Sequence, residues 1–227
     1  MLPCLTIELA PDGSYNVLGF LQGNVLSKQA VTELPYDTRR DMGVAIAGVI
    51  NDLNTNIKPE EVTTIPSKRP FIRNRDDYYT GVYTAAQGQD GTYAETYRKI
   101  YQRLQQMRPN GSVSNIIVFG DFSSPNLVLS DDYRLTGLID WTELGLGDIH
   151  NELRPVFSVI GQEAFDEMVK AIDPKLEPIN KELVRTLAII HELSVLVSGK
   201  QKGSLTPERA RLAVNSLNQW LEEDLAA

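Results

Sequence analysis

Cysteine is almost absent from this 227-residue sequence, which contains only Cys4. One cysteine excludes an internal disulfide framework and a metal cage built from thiolates, and it fits a reducing compartment. Histidine is nearly as rare, because only His150 and His191 occur, far apart and without a cysteine or carboxylate pattern around them. A histidine-based metal centre is therefore disfavoured.

Basic clusters and long apolar runs are also missing. The formal net charge is −8 and the isoelectric point is about 4.9, so no surface is available to neutralise a series of phosphates. Nucleic acid is thus not an expected partner. No run of about 18 apolar residues occurs, and the N-terminal residues lack the pattern of a signal peptide. We expect a soluble, cytoplasmic protein without a membrane partner.

The elements that are present predict a small β portion followed by a mainly helical body. Apolar residues make up 42% of the chain and charged residues 23%, which is typical of a globular protein. A hairpin is predicted over residues 5–21, around the turn dipeptide Asp12-Gly13. Residues 54–77 are predicted to form an irregular loop, because they combine prolines with many charges. Helical patterns indicate helices at 36–53, 93–107, 161–172, 181–198 and 207–224.

A second hairpin, "FGDFSSPNLVLSDDYRLTGLIDW" at 119–141, carries the polar residues that indicate chemistry. Pairing Ser130 with Leu135 across the polar turn sets Asn126 opposite Ile139 and beside Asp140. Neighbouring positions of an antiparallel ladder are about 4.5 to 8 Å apart, so an amide oxygen and a carboxylate can share one hard cation. Asp121 lies five positions before Asn126, on a loop that can return to the same end.

Two interpretations of this hairpin are open from the residues alone. Each polar residue could be ordinary turn chemistry, with Asp140 at a strand end, Asn126 in an Asx turn and Asp121 solvating a loop. The three together favour phosphoryl transfer, which needs one carboxylate for the substrate hydroxyl and oxygen ligands for magnesium. A serine hydrolase is not indicated, because Ser123 and Ser124 lack the Gly-x-Ser-x-Gly elbow.

The stretch from Phe119 to Asp148 resembles the catalytic segment of the aminoglycoside phosphotransferase and choline kinase-like family. That family's pattern is His-Gly-Asp, four residues, Asn, then Ile-Asp-Trp and a later Gly-Asp. Weaker similarity joins residues 5–23 to the last strands and hinge of the family's N-lobe, and residues 46–54 to its first C-lobe helix. The resemblance implies an α+β protein kinase-like fold, with a mostly helical C-lobe, an embedded catalytic β-hairpin and a remnant N-terminal hairpin.

The roles that this resemblance implies are specific. Asp121 would be the catalytic base, and Asn126 and Asp140 would bind Mg²⁺. Leu21 and Gly23, in the hinge, would contact the nucleotide, which would be ATP or GTP. Asp148 would be a structural residue that braces the loop.

The sequence departs from the family at three places. Phe119 stands where the pattern has histidine, and Asn54 stands where the helix often ends in histidine. No GxGxxG pattern or strand lysine precedes Phe20, and Lys28 follows the hinge. We therefore expect the phosphate clamp to be missing or supplied by another element.

The domain prediction is an N-lobe remnant at 1–24 and a C-lobe at 25–227. The predicted function is phosphoryl transfer to a small-molecule hydroxyl, with low activity for this chain alone because the clamp is missing. Two alternatives are a catalytically silent relative that binds a ligand or partner, and a truncated form of an active enzyme. We also expect self-association or a partner to cover the edge of the first hairpin. The acceptor is not encoded in any portable pattern.

Overall fold

The computed structural model describes residues 6–9, 15–18, 21–63, 116–176 and 178–201, together with positions 98, 102 and 206. The described residues divide into two compact units. The first contains those within Met1–Phe71 and Val113–Ile179, and the second those within Ile72–Ser112 and Asn180–Ala227. The predicted division at residue 24 concerns the lobes of the kinase-like fold and stays a prediction.

The chain begins with the predicted hairpin. Strand β1, Thr6–Leu9, pairs antiparallel with β2, Tyr15–Leu18, in a register that sets Ile7 opposite Val17. The segment after Gly23 was not assigned to any element from the sequence. It forms the short strand β3, Asn24–Val25, and a helix α1, Lys28–Thr32, whose N-terminus is capped by the Ser27 hydroxyl.

Helix α2, Tyr36–Asn56, confirms the predicted amphipathic helix and extends it by one turn. Its apolar residues recur three and four positions apart and are buried, which is the pattern of a helix with one core-facing side. The loop prediction for 54–77 was therefore wrong at its start. A further helix, α3, Pro59–Thr63, also lies within that segment, and the residues after 63 lie outside the described part.

Two small antiparallel sheets of the first unit carry the second hairpin and its surroundings. Strands β5, Leu127–Leu129, and β6, Leu135–Leu138, form the hairpin, and β3 pairs with β5 on its other edge. A further strand, β4, covers Ile116–Val118. It pairs with a strand that was not predicted, β7, Gly145–Gly147.

Three long helices follow. Helix α4, Ile149–Ile160, was not predicted, because Pro155 interrupts its interior and a proline normally argues against a helix there. Helix α5, Gln162–Ala171, confirms the prediction for 161–172. Helix α6, Lys181–Gln201, belongs to the second unit and confirms the prediction for 181–198, with Asn180 Oδ1 accepting from the Leu183 N–H at 3.0 Å.

Close helix packing forms the core of the first unit. Helix α2 approaches both α4 and α5 at Gly43, where a Cβ atom would lie 2.9 Å from Ile160 Cδ1 of α4 and 3.2 Å from Met168 Cβ of α5. Arg39 on α2 donates from Nη1 to the carbonyl of Ile160 at 2.5 Å, which fixes the end of α4 to α2. The largest fully buried side chains are those of Phe119, Phe122, Phe165, Met42, Ile46, Ile50, Leu127 and Leu129.

Two predicted helices are not tested by this structure. The helix at 93–107 lies outside the described residues except at 98 and 102, which are both helical, and the helix at 207–224 lies outside them entirely. Among the helices that the structure describes, none combines the length and apolarity needed to cross a membrane.

Candidate active site

The register of the β5–β6 hairpin brings two of the predicted site residues to one end. Leu127 lies opposite Leu138, and the Ile139 N–H donates to the carbonyl of Asn126 at 3.0 Å. Asn126 is therefore paired with the residue before Asp140, as predicted. The predicted pairing at the turn was wrong, because Leu129, not Ser130, faces Leu135.

A β-bulge causes that difference at the turn. The register shifts by one residue between Val128 and Leu129. Tyr133 adopts a positive φ of 61°, and the Ser130 N–H donates to the Arg134 carbonyl at 2.9 Å. A bulge absorbs one extra residue in one strand. The site end of the hairpin thus keeps its register while the turn end does not.

Asn126 connects the hairpin to the loop that carries Asp121. Its side-chain Nδ2 donates to the main-chain carbonyl of Asp121 at 3.1 Å and to Ser123 Oγ at 3.4 Å. The side chain is buried, with 7% of its surface exposed. Because the amide nitrogen is used by the loop, the amide oxygen is the atom left for another ligand.

Asp121 follows β4 on a loop that ends in a 3₁₀ turn at Ser124–Asn126. The residue is partly buried, and its Oδ1 accepts the Ser123 N–H at 3.3 Å in an Asx-type turn. The carboxylate is therefore held by its own loop while part of it stays accessible. Such a group can accept a proton from a hydroxyl that is placed against it.

Asp140 has a strained backbone at the end of β6. Its φ and ψ are 61° and 68°, in the left-handed region that non-glycine residues seldom adopt. Thr142 Oγ1 donates to Asp140 Oδ1 at 2.6 Å. The side chain is exposed. This hydrogen bond fixes one carboxylate oxygen and leaves the other available.

Phe119, at the position where a histidine was noted as missing, is a core residue. It is fully buried, and its ring packs 5.0 Å from the ring of Phe122 and 4.8 Å from that of Trp141. Trp141 directly follows Asp140, so this aromatic cluster joins the two segments that carry the aspartates. An apolar side chain here cannot make a polar contact with the loop.

Glu152 on α4, a buried glutamate that the sequence did not reveal, makes polar contacts with the backbone of the loop that leads to Asp121. Glu152 Oε1 accepts the Phe119 N–H at 2.7 Å, and Oε2 accepts the Gly120 N–H at 2.9 Å. Burial raises the pKa of Glu152 to about 8, against the lowering effect of these backbone donors. Sequence reasoning missed it because its partners are backbone amides, which leave no residue pattern.

Gly120 lies between Glu152 and the segment after Asp140. Its φ is +97°, and a Cβ atom there would lie 2.5 Å from the carbonyl oxygen of Glu143. Only glycine combines this backbone conformation with so close an approach. The glycine next to Asp121 is therefore packed directly against the turn that follows Asp140.

The role that the resemblance implied for Asp148, bracing the loop, stays a prediction, and in the structure this residue caps a helix. Its Oδ1 accepts the backbone N–H groups of His150 at 2.6 Å and of Asn151 at 3.3 Å, and so caps the N-terminus of α4. His150 Nδ1 lies 3.1 Å from the same oxygen. Both side chains are buried. The cap sets the start of the helix that carries Glu152.

The predicted nucleotide residues Leu21 and Gly23 lie against the same hairpin, at its middle and turn. Leu21 packs on Gly137, and Gly23 approaches the Leu129 carbonyl so closely that a Cβ atom would lie 2.5 Å from it. Both residues line a cavity of about 1270 Å³. Asp121, Asn126 and Asp140 do not line that cavity. Its remaining walls are Gln22, Asn24, Ala45, Gly48, Val49, Asp52, Ser130, Asp131, Asp132, Arg134, Leu135 and Thr136.

The donor set at the end of the hairpin fits magnesium. Asn126 offers an amide oxygen and Asp140 a carboxylate oxygen, which are the hard ligands that this cation prefers. Two protein ligands would leave most of an octahedron to water or phosphate. Within the described ranges, no group of three or more His, Cys, Asp or Glu side chains is arranged to hold a metal.

Solved phosphotransferase structures share this fold. The GDP complex of wild-type aminoglycoside 2'-phosphotransferase-IIIa superposes with a TM-score of 0.68 at 16% identity, covering 94% of this chain and 74% of that one. Choline kinase LicA from Streptococcus pneumoniae gives 0.57 at 16% identity, with coverages of 95% and 73%. Macrolide 2'-phosphotransferase type I gives 0.58 at 14% identity, with coverages of 81% and 60%. The predicted α+β kinase-like fold is confirmed.

The family follows from the sequence itself. Residues 8–177 match the model of the phosphotransferase enzyme family, APH, which is most of the chain. The chain belongs to this family. No curated protein sequence matches it significantly.

Proposed function

We propose that this protein transfers the terminal phosphoryl group of ATP or GTP to a hydroxyl group of a small molecule. The observation that carries the proposal is the grouping of Asp121, Asn126 and Asp140 around one end of the β5–β6 hairpin. The hydrogen bonds that join Asn126 to the Asp121 loop and to Ile139 support it. Family membership supports the same reaction class.

Asp121 is the group that accepts the proton of the acceptor hydroxyl. As the proton moves to the carboxylate, the acceptor oxygen forms a bond to the terminal phosphorus, and the bond from that phosphorus to the bridging oxygen breaks. A nucleoside diphosphate leaves. The Ser123 N–H holds the carboxylate during this step.

Asn126 and Asp140 hold the metal ion in this proposal. Magnesium, when bound, neutralises negative charge on the phosphates. Asn126 presents its amide oxygen because its nitrogen is bound to the loop, and Asp140 presents the oxygen that Thr142 does not occupy. Leu21 and Gly23 contact the nucleotide base from the hinge. Nucleotide use is supported by the GDP complex of the aminoglycoside enzyme and the AMP complex of the choline kinase.

Substitution of Asp121 tests the proposal. Asp121→Asn keeps the shape of the side chain and removes its proton-accepting capacity, so transfer to a panel of aminoglycoside, choline and sugar acceptors should fall by about 10²- to 10⁴-fold. Nucleotide binding and the melting temperature should stay at the parental values. Equal rates in Asp121→Asn and the parent would contradict the role of Asp121, and a parent without transfer to any hydroxyl acceptor would contradict the function.

A metal titration tests the ligands separately. Calorimetry with Mn²⁺ and a non-hydrolysable nucleotide should give weaker metal binding in Asp140→Ala than in the parent. Glu163→Ala, an exposed carboxylate of α5 that does not line the cavity with Leu21 and Gly23, is the matched control and should bind like the parent. Equal metal affinity in all three proteins would remove Asp140 from the site.

A further inference from the structure

We infer that Glu152 is a positioning residue for Asp121, acting through the backbone of the two residues before it. This inference rests on the proposed function for its catalytic consequence. Its structural part, the fixing of the loop by Glu152, stands on the contacts of the described residues alone.

The contacts of Glu152 are directed to one short piece of backbone. Its two oxygens accept from the N–H groups of Phe119 and Gly120 at 2.7, 2.9 and 3.2 Å. The residue is 1% exposed. Burying a carboxylate is costly, and these donors offset only part of that cost, because burial still raises the pKa of Glu152 to about 8. An apolar residue at this position would be easier to bury, but it would leave both N–H groups without an acceptor.

The rest of the loop explains why this contact matters. The Phe119 side chain is committed to the aromatic cluster with Phe122 and Trp141, so it cannot orient the loop by hydrogen bonding. On its other side Gly120 touches the backbone of Glu143. The peptide directly before Asp121 is therefore held between α4 and the turn after Asp140. A small shift of that peptide changes the distance between Asp121 and the metal ligands.

Electrostatic coupling gives a second link between the two acids. Burial is the main cause of the raised pKa of Glu152, and the negative charge of Asp121 raises it further. Arg154, on the same helix, acts on Glu152 in the opposite direction. Glu152 is thus linked to the catalytic loop both by hydrogen bonds to its backbone and by the charge of Asp121.

Glu152→Gln is the informative variant. The amide is nearly isosteric, but its NH₂ group must face one of the two backbone N–H donors, whichever way it is turned. The control is Val159→Ala, a buried position in the last turn of the same helix that makes no contact with the loop hydrogen bonds. This control loses stability through a cavity.

Two measurements on parent, Glu152→Gln and Val159→Ala test the inference. Amide hydrogen exchange at Phe119 and Gly120 should rise in Glu152→Gln by about tenfold or more beyond its rise in Val159→Ala, which reports the loss of global stability alone. With Mg²⁺, nucleotide and acceptor, kcat of Glu152→Gln should fall by about 10- to 100-fold, because small misplacements of catalytic groups cost that much. The nucleotide KM should change by less than about threefold.

The outcomes separate this inference from the proposed function. Exchange at Phe119 and Gly120 that rises no more in Glu152→Gln than in Val159→Ala would overturn the inference even if the enzyme is active. A kcat loss in Glu152→Gln no greater than in Val159→Ala would overturn its catalytic part. A parent that transfers no phosphate would overturn the proposed function, while the exchange measurement would still decide whether Glu152 fixes the loop.

Discussion

The side chain of Asn54 hydrogen-bonds both backbone groups of Ile117. Its Oδ1 accepts the Ile117 N–H at 2.9 Å, and its Nδ2 donates to the Ile117 carbonyl at 2.8 Å and to the Ile50 carbonyl at 2.9 Å. Asn54 lies on α2 and Ile117 on β4, so one amide joins the helix to the strand that leads to Asp121. Asn54, at the position where the resemblance often has a histidine, thus connects helix α2 to strand β4.

Asn54→Ala should therefore destabilise the protein by about 1–3 kcal/mol, because it leaves buried backbone groups of β4 without a partner. The control is Asn56→Ala, whose side chain donates only to the Asp52 carbonyl in an exposed position of the same helix. It should change the unfolding free energy by less than about 0.5 kcal/mol. Chemical denaturation measures both, and equal stability losses would contradict the role of Asn54.

Gly120→Ala should lower both stability and activity. The added Cβ would meet the Glu143 carbonyl and would impose a side chain on a backbone with φ of +97°. Strain of this kind costs about 1–3 kcal/mol before the steric overlap is counted. Gly48→Ala is the matched control, because it lies inside α2 and the new Cβ would meet no atom within 4 Å beyond its chain neighbours and the backbone of its own helix. It should stabilise the helix by about 0.5–1 kcal/mol, and thermal melting would distinguish the two.

The sequence predicted the site end of the hairpin because strand alternation fixes register wherever both faces are constrained. Leu127 and Leu138 are buried and face each other, so Asn126 and Asp140 follow at defined positions. The register at the turn end was mispredicted because Tyr133 adopts a left-handed conformation. The residue types of a polar turn do not indicate this conformation.

The residues that hold the catalytic loop were harder to predict. Glu152 contacts backbone amides about 30 positions earlier in the chain, and a contact to backbone leaves no signature in residue types. Its helix was also missed, because Pro155 obscures the helical pattern. Tertiary contacts of this kind become visible only when the elements are placed in space.

Thr142→Val should weaken metal binding by about twofold to tenfold in the presence of nucleotide. The variant keeps the shape of the side chain but removes the hydroxyl that fixes Asp140 Oδ1, and one such hydrogen bond contributes about 1 kcal/mol. Thr142→Ser retains the hydroxyl and should bind Mn²⁺ like the parent. Calorimetric titration provides the affinities. A serine variant as weak as the valine variant would show that the methyl group, not the hydrogen bond, matters.

The contribution of Glu152 to the free energy of unfolding should fall as the pH rises from about 4.5 to about 8. Burial raises the pKa of Glu152 from 4.5 to about 8, so the folded state binds a proton over this interval that the unfolded state has released. Stability linked to that proton is present below pH 4.5 and is lost as the pH approaches 8. The expected size is a few kcal/mol. The charged groups that act on Glu152 are Asp121 and Arg154.

Glu152→Gln isolates this component, because the amide does not titrate while the other groups of the protein still do. Both unfolding free energies are measured by denaturant titration at intervals from pH 4.5 to 9. The free energy of unfolding of the parent minus that of Glu152→Gln should fall steadily up to about pH 8 and then level off. Val159→Ala, in the last turn of the same helix, is the control, because it removes no titratable group and should give a difference that does not vary with pH. A pH-independent difference for Glu152→Gln would mean that the carboxylate is ionised throughout, held by the N–H groups of Phe119 and Gly120 strongly enough to offset its burial.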